Sequence, residues 1–148
     1  ACIKETASHI LNVSINRVSV KIFEDKATGM KKGERCYGDV VAIKVQTEKG
    51  RIYQPSNIHD LVTLQSKVIE ENPSFTRVFY TVHEEPKKQP YAVAVRAVQT
   101  QDFLTAKVAE IPWKTLNQAA EKILEACPNV SSVCYDVTPK PPATIEME

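Results

Sequence analysis

Apolar residues follow two different periods along this chain. Val41, Ile43 and Val45 fall on every second position, and so do Val93, Val95 and Ala97. That is the period of a strand with one buried face. A helical period follows each set. Leu61, Leu64 and Val68 stand at i, i+3 and i+7, and Leu116, Ala119, Ala120, Ile123, Leu124 and Cys127 form a fuller stripe. Ser56 or Asn57 is placed to cap the first helix, and Pro112 suits the first turn of the second. Pro73 and Pro128 end the two helices. Closing strands are predicted at about 75–82 and 130–138. In these, Thr76, Val78, Tyr80 and Val82 share one face, as do Ser131, Val133, Tyr135 and Val137. Ahead of this pattern, 18–23 reads as a strand, 25–35 as a polar turn leading into Val40, and 5–13 as a short helix. The segments 50–54 and 102–108 are expected to add short strands.

The order strand, helix, strand occurs twice because the sequence repeats. Val40-Val41-Ala42-Ile43-Lys44 matches Ala92-Val93-Ala94-Val95-Arg96, and Val45-Gln46-Thr47 matches Val98-Gln99-Thr100. Asn72-Pro73 corresponds to Cys127-Pro128, and Val78-Phe79-Tyr80 to Val133-Cys134-Tyr135. Matches kept in one order point to two copies of one fold unit. The expected class is α+β, with two tandem copies of a small sheet-plus-helix subdomain. The first covers residues 1–88 with the hairpin, and the second covers 89–148. The polar stretch Glu84-Glu85-Pro86-Lys87-Lys88-Gln89-Pro90 joins them.

Composition narrows the function. A chain of 148 residues with 43% hydrophobic and 25% charged content fits a soluble globular unit. A net charge of +1 argues against a large nucleic-acid footprint, and no apolar run approaches the roughly 20 residues of a membrane span. The chain starts at Ala1 without a methionine and shows no signal peptide. The four cysteines form no Cys-x-x-Cys pair and read as free thiols of a reducing cytosol. Cys134 alternates with Val133 and Tyr135 and reads as packed. Only four glycines occur, Gly29, Gly33, Gly38 and Gly50, too scattered to build a phosphate-cradling loop. No metal cluster, Gly-x-Ser-x-Gly elbow or Ser-His-Asp arrangement is visible, so no catalytic residue is assigned within the chain.

The last nine residues, Lys140-Pro141-Pro142-Ala143-Thr144-Ile145-Glu146-Met147-Glu148, are unusual for a chain end. Prolines restrict the backbone around Lys140, and a lysine on a stiff segment makes a point-charge partner for phosphate. By composition alone the same residue is a solvated surface lysine. Glu146 and Glu148 are either acceptors for ribose hydroxyls or solubilising charges. The segment 26–35 is basic and glycine-punctuated, and its Arg35 has the fork that binds phosphate bidentately. Its plainer reading is a hairpin turn. Trp113, the only tryptophan, reads as a packing residue.

These residues resemble the C-terminus of GMP synthetases, which typically ends Lys-Pro-Pro-Ala-Thr-Ile-Glu-Trp-Glu; here Met147 stands for the tryptophan. The resemblance covers roughly 18–148. It extends to Val95-Arg96-Ala97-Val98-Gln99-Thr100, Asp102-Phe103, Thr105-Ala106, Tyr135-Asp136-Val137, and the hairpin with Asp25-Lys26-Ala27-Thr28-Gly29 and Glu34-Arg35-Cys36-Tyr37. Lys32-Gly33 is read in the place of the family's Gly-Asp pair, which puts that aspartate contact in question. The resemblance implies the cytoplasmic dimerisation and XMP-binding domain of an enzyme that converts XMP to GMP. An ATP-pyrophosphatase domain makes an adenylyl intermediate, and ammonia from a glutaminase domain displaces AMP. These partner domains lie in the same chain or in separate subunits. ATP and magnesium are then used by the full enzyme, with no cofactor or metal held here. XMP-binding roles fall on Lys140, Thr144 and Glu146, and on Arg35 reaching the neighbouring subunit of a homodimer. Nucleic acid and membrane are not expected partners. The resemblance further implies one repeat unit in bacterial members and two in longer, human-like ones. Two alternatives stand beside it: a stand-alone relative that has lost nucleotide binding, and an RNA-binding module resembling KH domains. The latter is weakened by Gly-x-x-x-Gly spacing where that fold uses Gly-x-x-Gly.

Overall fold

The computed structural model describes residues 2–85, 90–102 and 104–144. Helix α1 spans Cys2–Leu11. Asn12 stops it at φ 54°, and the Val13 amide returns to the Ser8 carbonyl at 3.1 Å, a left-handed helix ending. A hairpin follows, β1 (Val18–Lys31) and β2 (Glu34–Val45). It leads to α2 (Ile58–Glu71) and β3 (Phe75–Glu84). The second unit runs β4 (Tyr91–Val95), β5 (Val98–Gln99), β6 (Lys107–Val108), α3 (Trp113–Ala126) and β7 (Val130–Asp136).

The fold is α+β, and both units enter one sheet of order β1-β2-β3-β7-β4. Strands β2 and β3 are parallel, β4 and β7 are parallel, and β3 meets β7 antiparallel. At that seam Tyr80 pairs directly with Tyr135, its own counterpart in the repeat. A local two-fold axis therefore passes between the two tyrosines. Matching hydrogen bonds support the symmetry. The Tyr80 hydroxyl donates to the Tyr53 carbonyl, and the Tyr135 hydroxyl donates to the Ala109 carbonyl. The amides of Phe75 and Val130 return to Asn72 and Cys127 at 3.1 and 3.0 Å. The helix-side core is shared as well. Leu61, Leu64 and Val68 of α2 belong to one cluster with Leu116, Ala120 and Leu124 of α3 and with Ile3, Ala7 and Leu11 of α1. The division at residue 88 falls outside the described residues. Trp113 packs edge-on against Tyr80 and donates to the Pro55 carbonyl at 2.6 Å, tying α3 to the first unit.

Several local expectations change. Asn57 is the cap of α2, accepting the His59 amide at 2.9 Å. The segment 50–54 contributes a single bridge, Gln46 to Ile52, and among the described residues of 102–108 only β6 and an Ala106 bridge form. The polar stretch 25–35 is mostly strand, since β1 and β2 stay paired from Lys26 with Asp39 to Lys31 with Glu34. The turn itself is Lys32-Gly33, with φ of 52° and 77°, the positive pair that a two-residue hairpin loop requires. Polar composition concealed a strand here because much of the arm faces solvent. Ala27, Thr28 and Gly29 are its buried exception.

Candidate functional site

Those three small residues mark where the chain's tail lies. The Met30 amide donates to the Pro142 carbonyl at 2.7 Å, and Gly29 bridges Ala143. A Cβ on Gly29 would stand 2.7 Å from the Pro142 oxygen and 2.7 Å from Thr76 Cγ2, so only glycine admits the tail at this distance. The tail turns tightly. Lys140-Pro141 and Pro141-Pro142 are both cis, and the Ala143 amide closes the turn on the Pro139 carbonyl at 3.0 Å.

On its other flank, Lys140 exchanges both backbone hydrogen bonds with Ala106, at 2.9 and 3.0 Å. The loop carrying Ala106 is shaped by Asp102, whose carboxylate accepts the Leu104 and Thr105 amides at 3.0 and 3.1 Å. The Thr105 and Leu104 amides, helped by the Lys140 charge, hold that carboxyl below its usual range.

Thr144 ends the described tail over three charged groups. Asp136 on β7 and Arg77 on β3 are fully buried, and the Arg96 side chain, just past β4, is 13% exposed. Arg77 and Arg96 reach Asp136 Oδ2 at 3.2 and 2.9 Å. Both also donate to the Thr144 carbonyl, at 3.1 and 2.8 Å. Arg77 Nη2 further donates to Thr144 Oγ1 at 2.7 Å. Arg96 Nη1 donates to the Thr138 carbonyl at 2.7 Å, and the Thr138 amide donates to Asp136 Oδ1 at 3.0 Å. Burial pulls the Arg77 guanidinium below the ordinary arginine range, while Asp136 opposes the shift.

Of the four residues assigned from sequence, Lys140 is half-buried at the tail's turn, and Thr144 is held by two arginines through its carbonyl. Arg35 is exposed on β2, directly across from Met30 and thus one strand from the tail. Glu146 lies outside the described residues. Sequence reading missed Arg77 and gave Arg96 and Asp136 no role. Their signal was present: single charges interrupt Thr76-Arg77-Val78, Val95-Arg96-Ala97 and Tyr135-Asp136-Val137, apolar runs in which an unpaired charge is too costly to bury. It also passed over a Gly-Asp pair at Gly38-Asp39, three residues beyond Arg35. Asp39 accepts Lys26 Nζ at 2.6 Å, and this contact keeps its carboxyl below the usual range.

The family model described as the GMP synthase C-terminal domain matches residues 81–147, which contain β7, Arg96, Asp136 and the tail. The chain is 35% identical over 136 residues to a glutamine-hydrolyzing GMP synthase subunit of Saccharolobus solfataricus, covering 92% of this chain and 34% of that protein. The chain belongs to the GMP synthase C-terminal domain family. The corresponding subunit of Methanocella arvoryzae is 52% identical over 58 residues, 39% of this chain and 19% of that protein. The glutamine-hydrolyzing GMP synthase of Agathobacter rectalis is 34% identical over 139 residues, 86% of this chain and 26% of that protein. The chain spans about a third of the length of the curated relatives it matches first. Neither alternative reading gains support. Gly29 and Gly33 of the KH-like reading belong to a strand and a hairpin turn. Among the described residues no helix is long and apolar enough to cross a membrane.

Proposed function

We propose that this chain completes the XMP site of a GMP synthase, within a longer protein or a two-subunit enzyme that aminates XMP to GMP with ATP. The observation that carries this reading is the tail. Its segment 139–144 is built into the fold at both ends, and it presents Lys140 at the carboxyl end of the parallel strands β4 and β7, where open α/β sheets bind ligands. In this reading Lys140 neutralises the nucleotide phosphate, Thr144 fixes the tail's path, and Glu146 takes a polar group of the nucleotide. Arg35, on the arm that also carries Asp39, reaches the XMP of a second copy in a homodimer.

Gly29 lies against Pro142 and Thr76, which leaves no phosphate-sized cradle at that glycine. In this reading ATP and magnesium serve the adenylation chemistry of a partner domain or subunit, and the glutaminase chemistry lies in another. We place the reaction in the cytoplasm, where free thiols such as Cys36 and Cys127 persist.

Lys140→Ala in the complete enzyme should raise the KM for XMP by about tenfold, roughly 1.4 kcal/mol of binding. The KM for ATP should stay constant. An unchanged KM for XMP would overturn the reading.

A further inference from the structure

Burying three charged side chains in one place is expensive, and apolar residues of similar volume often fold as well or better. Arg77, Asp136 and Arg96 nevertheless stand in a row across β3, β7 and the end of β4, with side-chain exposures of 0%, 0% and 13%. Both arginines donate to the Thr144 carbonyl, and Arg77 also donates to the Thr144 hydroxyl. The row therefore grips the tail at a single residue. Lys140 lies four residues upstream, and Ala106 fixes it through a pair of backbone bonds. Between these two anchor points the chain makes a closed turn with no slack. The side of the turn facing β1 is set by Met30 and Gly29.

We propose that Arg77, Asp136 and Arg96 are positioning residues for XMP: they lock the tail at Thr144 and thereby set where the Lys140 ammonium stands. The proposal rests on the reading that Lys140 meets the XMP phosphate. Arg77 comes from the first repeat unit and the other two from the second, so the site needs both units although its motif lies in one. The planar fork matters as well as the charge. Arg96 uses two nitrogens to meet Asp136, Thr138 and Thr144 together, which a lysine's single ammonium cannot reproduce.

The test uses Arg96→Lys and Arg96→Met in the complete enzyme, with amide hydrogen exchange read beside kinetics. The amides of Met30 and Lys140 report the tail, since they donate to Pro142 and Ala106. The Val78 amide, which donates to the Thr138 hydroxyl, reports the sheet. Both variants should speed exchange at Met30 and Lys140 by about tenfold and leave Val78 protected. They should raise the KM for XMP by about tenfold, with the KM for ATP and kcat moving less than about twofold. Unaltered exchange at Met30 and Lys140 in both variants overturns the proposal. So does a parallel rise in both Michaelis constants together with exchange at Val78, the pattern of general structural loss. If Arg96→Met does not fold, Arg96→Lys alone decides. Faster tail exchange with an unchanged KM for XMP would support the lock and overturn the role given to Lys140 instead.

Discussion

The two repeat units share a backbone plan and differ in what stands beside the seam tyrosine. In the first unit the residue after Tyr80 is Thr81, whose hydroxyl lies 4.0 Å from Cys134 Sγ. In the second, the residue after Tyr135 is Asp136, buried between two arginines. The counterpart of Arg96 in the first unit is Lys44, which makes an exposed pair with Glu84 at 3.0 Å. Identical scaffolding thus carries a solvated ion pair in one place and a dry charge row in the other. A repeated fold supplies two equivalent sheet ends, and substitution at a few equivalent positions gives only one of them a buried charge row.

The largest expected break in that comparison is Asp136→Ala. It leaves two guanidinium groups buried without their carboxylate and should cost about 3–5 kcal/mol in urea unfolding. Its first-unit counterpart, Thr81→Ala, should cost about 1 kcal/mol. Equal losses would show that the units do not differ in this way. Next is the alkaline limb of stability. Burial pushes the Tyr135 hydroxyl up to about 12 and raises that of Tyr80 as well. The folded state therefore holds these protons after the unfolded chain has released them. Their contribution is complete below about pH 10 and declines as pH rises from there towards 12, by up to about 3 kcal/mol for Tyr135. Tyr135→Phe should flatten the denaturation midpoint across that window in part, and a midpoint that falls unchanged in the variant would rule Tyr135 out as the source. Gly29→Ala, at the tail crossing, should lose about 1–2 kcal/mol and speed amide exchange at Met30, which donates to the Pro142 carbonyl. The smallest effect is reserved for the exposed pair: Glu84→Gln should change stability by no more than about 0.5 kcal/mol, and less in high salt.

The repeat was legible because periods of 2 and 3.6 recur in one order, and because the seam tyrosines match. That the copies would fuse into one sheet was not legible. Pairing of β3 with β7 depends on strand edges far apart in sequence, and nothing in either strand alone names its neighbour. Lys140 and its prolines stood out in sequence because they form one contiguous run. The charge row did not, since Arg77, Arg96 and Asp136 become neighbours only when three strands assemble, 59 residues separating the first from the last. The hairpin arm was read as a turn because its polar face dominates the composition. The small residues Ala27, Thr28 and Gly29 were the clue that something lies close above it.

The tyrosine seam has a consequence for any attempt to divide the molecule. A fragment holding only the second unit would leave β7 as an open edge, with a row of unpaired amides and carbonyls ready to accept another strand. The best partner for that edge is a second β7, since Tyr135 already faces its own counterpart across a two-fold axis. Such a fragment would associate with itself through the very hydrogen bonds that join the units here. The intact chain is in this sense a dimer closed within one polypeptide, with Arg77 lent by one half to the charge row of the other.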